Sequence, residues 1–145
     1  MFVSDILAQK GGLVFSVSPG TSVADVARQL TTRRIGAVLV LDGEGDGAVL
    51  GIVSERDLVR ALAAHGGKAL ELDVRQVMTR GVITCDPDDS IEEVMTVMTR
   101  ERFRHLPVVR SGELLGLISI GDVVKARIEE TRHETEALKA YIIAG

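Results

Sequence analysis

The decapeptide Gly51-Ile-Val-Ser-Glu-Arg-Asp-Leu-Val-Arg60 returns 65 residues later as Gly116-Leu-Ile-Ser-Ile-Gly-Asp-Val-Val-Lys125, with Gly, Ser, Asp and Val kept in place. Val17-Ser-Pro-Gly-Thr-Ser-Val-Ala-Asp-Val26 matches Cys85-Asp-Pro-Asp-Asp-Ser-Ile-Glu-Glu-Val94 at an offset of 68, and Ile35-Gly-Ala-Val-Leu-Val40 matches Arg104-His-Leu-Pro-Val-Val109 at 69. Such a chain must build one supersecondary unit twice, and the drifting offset puts its length changes in turns. Each repeat is about half of the 145 residues, so the two are expected to share one core.

Hydrophobic residues make up 46% of the chain and charged residues 26%, the balance of a globular protein rather than a disordered one. The apolar content is aliphatic, with no Trp, one Tyr and three Phe. A bound base must therefore be gripped largely without aromatic stacking, which argues against a single-strand nucleic-acid platform. A formal charge of -4 disfavours nucleic acid further, because its field repels a phosphate backbone. Any anion site has to be locally basic. Cys85 is the sole cysteine, which excludes an intrachain disulfide and a CxxC zinc site and leaves the thiol as a small apolar filler. No apolar run approaches the roughly 18 residues of a membrane span, and no basic segment leads into an apolar leader, so a cytoplasmic location is expected.

Phe2, Val3, Ile6 and Leu7 are spaced for a short opening helix that ends before Gly11-Gly12, with Val74 to Met78 as its counterpart. Leu13 to Val17 and Val82 to Cys85 read as short strands, each leading into a Pro turn. Thr21 or Ser22, and Asp89 or Ser90, then cap amphipathic helices. Ala37 to Leu41 pairs with Ala48 to Val53, and Leu106 to Val109 with Leu114 to Ser119, through glycine-containing hairpin connections. Asp42-Gly-Glu-Gly-Asp-Gly47 is one of these connections. It lacks the remaining ligands and terminal Glu of a calcium loop, so no metal site is assigned. A second helix starts after Ser54 and after Ser119, and Ala63 to Lys68 reads as a loop between the halves. Beyond Asp122, the residues Val124, Ile128, Thr131, Thr135, Leu138 and Ile142 form a heptad-like seam suited to another helix, within the subunit or across a dimer.

The paired Pro-x-x-Ser openings, His105-Leu-Pro-Val-Val109 and two Gly-h-h-Ser-x-x-Asp endings, where h is apolar, make the chain similar to a tandem CBS-domain pair, or Bateman module, from about Val3 to Ile128. The resemblance implies an α+β fold of two β-α-β-β-α repeats, over 1–72 and 73–130, with 131–145 extending a long C-terminal helix. It further implies a pseudo-twofold axis between the repeats, clefts between them, adenosine-containing ligands and a homodimer.

Ser-x-x-Asp at a helix start is in outline a capping box, with Asp in place of the longer Glu. Ser54 and Ser119 therefore cap their helices whatever else they do. A helix N-terminus also favours phosphate, and a carboxylate one turn in can accept from vicinal hydroxyls, so Asp57 and Asp122 are expected to read a ribose. By the resemblance, adenine lies beside Val82, Ile83 and Thr84 with Leu106 and Pro107 in one site. The other site has Phe15, Ser16 and Val17 with Ala37 and Val38. Arg56 lies inside the first Ser-x-x-Asp and can grip a phosphate through its donor fork, while the second repeat carries Arg104 and His105 ahead of its strand. The second-repeat site is the favoured one.

These readings converge on a stand-alone regulatory module that senses an adenine nucleotide and signals to a protein effector. AMP is the first ligand, with ADP, ATP, NAD(H) or S-adenosylmethionine behind it. A constitutive dimerisation adaptor with vestigial clefts is the alternative. A nucleotide-processing enzyme is disfavoured, since the chain has no Gly-x-Ser-x-Gly elbow, Walker loop or HExxH and no catalytic residue is assigned. Neither nucleic acid nor a membrane is expected as partner.

Overall fold

A computed structural model describes residues 1–43 and 47–144. Its elements run α1 (Val3–Lys10), β1 (Ser16–Val17), α2 (Val23–Arg33), β2 (Ala37–Leu41), β3 (Val49–Ser54) and α3 (Glu55–His65). A 3-10 turn (Gly66–Glu71) and α4 (Val74–Val77) lead to α5 (Ile91–Glu101), β4 (His105–Arg110), β5 (Glu113–Ser119) and α6 (Ile120–Ala144). The fold is α+β and ends in a long helix.

Local chemistry sets the helix starts. Ser22 accepts from the Asp25 amide at 3.2 Å and Ser90 from the Glu93 amide at 3.0 Å, so serine caps both α2 and α5. The competing candidates serve the preceding turns instead: Thr21 Oγ1 donates to the Ser18 carbonyl at 2.7 Å, and Asp89 accepts from the Asp86 amide at 2.9 Å. Both helices end on a left-handed arginine, Arg34 (φ 53) and Arg102 (φ 59).

The sheets are narrower than the sequence suggests. β1 is parallel to β2 and β2 antiparallel to β3, but β1 spans only Ser16 and Val17 rather than Leu13 to Val17. In the other sheet β4 and β5 pair antiparallel, and the expected strand Val82 to Cys85 shrinks to a bridge at Cys85. Cys85 donates its N–H to Pro107 and accepts from the Val109 N–H, both at 2.9 Å. The Asp86 turn then ends the pairing on its C-terminal side. Ala63 to Lys68 is not a loop: α3 continues through Ala63 and Ala64, good helix formers, to His65, and Gly66 at φ +62 receives its end. The Asp42 to Gly47 connection, read above as a hairpin rather than a calcium loop, falls partly on residues 44–46, outside the described residues.

Two compact units result, one formed by Val14–Val82 and the other by Met1–Leu13 with Ile83–Gly145. They cut across the repeats, because the short opening helices have changed places. In the first unit α4 supplies Val74 and Met78 to a core of Val17, Val26, Leu30, Val38, Val40 and Val53. In the second, Val3 and Ile6 of α1 join Ile91, Val94, Met98, Leu106, Val108, Ile118 and Val123. Each unit thus has an apolar cluster of its own where one shared core was expected. Burying each such side chain contributes roughly 1.5–3 kcal/mol.

The glycine that opens each repeated motif seats the exchanged helix. A Cβ on Gly51 would lie 2.6 Å from Met78 Sδ and 2.8 Å from the Thr79 carbonyl oxygen. On Gly116 it would lie 2.6 Å from Leu7 Cδ2. Only a residue without a side chain lets the helix end approach this closely.

Candidate functional site

The β-ladders carry the motif serines to the sheet end where the following helix begins. Ala37 pairs with Ser54 in one unit and His105 with Ser119 in the other. The chain then turns directly into α3 and α6, whose first amides are already used: Glu55 donates to the Gly36 carbonyl at 3.1 Å and Ile120 to the Arg104 carbonyl at 2.8 Å. The helix starts therefore offer fewer free N–H groups to an anion than the sequence suggested.

Both Ser-x-x-Asp sequences close as reciprocal capping boxes. Ser54 N–H donates to Asp57 Oδ2 at 2.8 Å while Asp57 N–H donates to Ser54 Oγ at 3.4 Å. Ser119 N–H donates to Asp122 Oδ2 at 2.9 Å, with the return bond at 3.2 Å. The shorter acid is compensated by the extended backbone of the cap residue, which for Ser54 has φ -111 and ψ 168.

Beyond the box the two carboxylates diverge. Asp57 is only 7% exposed, its Oδ2 also accepts from Ser54 Oγ at 3.1 Å, and its Oδ1 accepts from Thr79 Oγ1 at 3.1 Å. Both oxygens are engaged and shielded. Asp122 keeps a side-chain exposure of 26%, and its side-chain bonds fall on Oδ2, where the Lys10 ammonium lies at 2.6 Å. Among the described residues none donates to Oδ1. Partial burial works to raise the Asp122 carboxyl, but the bonds from Lys10 and Ser119 outweigh it and hold the group below the ordinary carboxylate value.

The remaining second-repeat residues differ in exposure. Ile83 is half-buried, Thr84 exposed, Leu106 and Pro107 buried, Arg104 exposed and His105 half-buried. Val82, half-buried, closes the other compact unit. A pocket of about 170 Å³ brings Ile83, Thr84 and Leu106 together with Asp89, Glu93, Val97 and Arg100 on the α5 side. It does not include Ser119 or Asp122. Cys85 also lines it, and burial, reinforced by Asp89 and Asp86, pushes its thiol up to about 12, consistent with an inert filler.

In the first repeat, Val17, Ala37 and Val38 are core residues, while Ser16 and Arg56 are exposed. Phe15 is half-buried, and the Arg33 guanidinium lies 4.1 Å from its ring centroid. Sequence reasoning missed Arg33, Thr79 and Lys10. Thr79 and Lys10 each follow or end an opening helix, which is the signal that could have found them.

The CBS domain family model matches residues 13–64 and again 74–129. The chain is a tandem CBS-domain protein. This CBS pair is 33% identical to the mitochondrial CBS domain-containing protein CBSX3 of Arabidopsis thaliana, over 99% of its own length and 72% of the relative's. A crystal structure of a CBS-domain containing protein from Agrobacterium tumefaciens superposes with a TM-score of 0.83 at 48% identity, covering 87% of the CBS pair and 92% of that chain. A structure of CBSX2 in complex with AMP matches with a TM-score of 0.71 at 26% identity, covering 90% and 98%. Among the described residues no helix is long and apolar enough to cross a membrane.

Proposed function

We propose that this CBS pair is a regulatory, non-catalytic sensor of an adenosine-containing nucleotide, with AMP as its first ligand and the second-repeat residues as its principal site. The carrying observation is the contrast between the two carboxylates: the Asp122 side chain is partly exposed and its side-chain bonds fall on Oδ2, while Asp57 is buried with both oxygens engaged. Ile83, Thr84, Leu106 and Pro107 supply aliphatic walls and backbone groups for a base, and Arg104 supplies charge for a phosphate. The CBSX2 complex with AMP supports the ligand class. ADP, ATP, NAD(H) and S-adenosylmethionine are the alternatives within it. Ligand binding signals to a protein effector through a change in the module, in the cytoplasm.

Titration calorimetry at physiological salt tests this. AMP binds the wild type, Asp122→Ala weakens it about tenfold or more, and Arg104→Ala weakens AMP more than adenosine. Absence of binding by every ligand of the class, or an unchanged affinity in Asp122→Ala, overturns the reading.

One observation favours adding self-assembly. The seam residues Val124, Ile128, Leu138 and Ile142 are 43%, 51%, 60% and 67% exposed, so this chain does not cover its own stripe. We assign α6 to a homodimer contact. If nucleotide binding fails while the dimer persists, the constitutive adaptor becomes the better reading.

A further inference from the structure

In heptad terms Val124, Thr131 and Leu138 of α6 take the d positions, and Ile128, Thr135 and Ile142 take the a positions. Val123 and Ala126, the buried side chains of the helix, fall on its opposite side, so the seam faces away from the unit that carries it. The two threonines can be covered at little cost. Thr131 Oγ1 donates to the Arg127 carbonyl and Thr135 Oγ1 to the Thr131 carbonyl, both at 2.9 Å, so neither hydroxyl proton depends on water.

Apolar layers at both ends with threonine layers between them make the seam self-complementary. Two arrangements of a second copy match every layer with its like: parallel and in register, or antiparallel about His133, where Val124 meets Ile142 and Ile128 meets Leu138. The flanking charges choose between them. Lys125, Arg132 and Lys139 occupy the e positions, and Arg127 and Glu134 the g positions. Antiparallel helices bring e to e and g to g, so Lys125 meets Lys139, Arg132 meets Arg132 and Glu134 meets Glu134, like charge on like each time. Parallel helices bring each g to the e five residues further on in the other copy. Glu134 then meets Lys139 on both sides of the pair, and among the described residues neither has an ion pair of its own. Arg127 meets Arg132, but Arg127 is already held by Glu130 at 3.1 Å.

We infer that two copies pair their α6 helices parallel and in register, with Glu134 of each on Lys139 of the other. This rests on the homodimer reading of α6 and adds the orientation, the register and the residues that set them. The two apolar ends, each carrying Leu138, Tyr141, Ile142 and Ile143, emerge together at one end of the dimer.

The test places thiols in the full chain, where Cys85 is buried with its own thiol pushed up to about 12 and stays out of exchange. On oxidation, Leu138→Cys links to itself in a parallel pair. In an antiparallel pair it links only to Ile128→Cys when the two proteins are mixed, because self-linkage would have to span about 15 Å along the helix. Charge reversal gives a second readout that leaves the seam untouched. In sedimentation equilibrium at low salt, Lys139→Glu raises the dimer dissociation constant about fivefold, and combining it with Glu134→Lys restores the wild-type value. An antiparallel pair responds in the opposite sense, since Lys139→Glu turns a repulsion from Lys125 into an attraction. A tighter dimer in Lys139→Glu, or the mixed disulfide in place of the symmetrical one, overturns the parallel arrangement while leaving the α6 homodimer intact. A dimer that neither cross-links nor responds to charge reversal, or a chain that sediments only as a monomer, overturns both.

Discussion

At the scale of single residues, the repeated glycine makes the sharpest claim on stability. A methyl group on Gly51 would meet both a thioether and a backbone carbonyl, and the carbonyl cannot move without dragging the end of α4. On Gly116 it would meet only the tip of the Leu7 side chain, which can rotate. Gly51→Ala is therefore expected to cost about 1–3 kcal/mol and Gly116→Ala less, read from urea-denaturation midpoints. Asp122 gives a second prediction. Its carboxyl is held below its unfolded value, so it contributes stability that is present above about pH 4 and lost as pH falls through the lower, folded value. Asp86, lowered by Arg110, acts in the same direction. Thermal melts should fall progressively on acidification below about pH 4, and less steeply in Lys10→Met, where the main lowering contact is gone. The capping pairs were legible because Ser and Asp lie three residues apart. Lys10 on Asp122 was not, because 112 residues separate them.

At the scale of elements, periodicity located the helices well, since an amphipathic stripe and a capping serine are both local signals. The strands at the start of each repeat were over-read. An apolar run of four or five residues looks like a strand whether or not a neighbour pairs with all of it, and here Cys85 alone supplies both bonds. α6 shows the converse. Its first turns bury Val123 and Ala126, while everything from Thr131 to Ala144 is exposed. The heptad spacing was legible, but which surface meets it was not, because spacing records a stripe and not its partner. If the proposed dimer and AMP site are right, truncation after Ile128 abolishes the dimer in analytical ultracentrifugation while changing AMP affinity less than twofold. A truncated protein that remains dimeric would move the assembly contact elsewhere.

At the scale of the whole molecule, the duplication correctly announced two similar units, yet the linear division at 72/73 does not coincide with the compact ones. Repeats in a sequence say which segments share ancestry, whereas compact units depend on which helix fills which core. Both opening helices are short and apolar on one side, so nothing in their composition distinguishes the two possible hosts. The fragment 14–82 carries its complete apolar cluster, including Val74 and Met78. The fragment 1–72 lacks both and carries α1 without its host. Circular dichroism should find cooperative melting in 14–82 and none in 1–72.

The exchange of opening helices also imposes an order in time. During synthesis the segment Val14–Val82 emerges whole and can fold as soon as its last residue clears the ribosome. α1 precedes this segment, yet its seat beside Gly116 and its anchor at Asp122 are made more than a hundred residues after it. Through that interval an amphipathic helix waits without its core, so a segment made before Val14–Val82 is placed only after it.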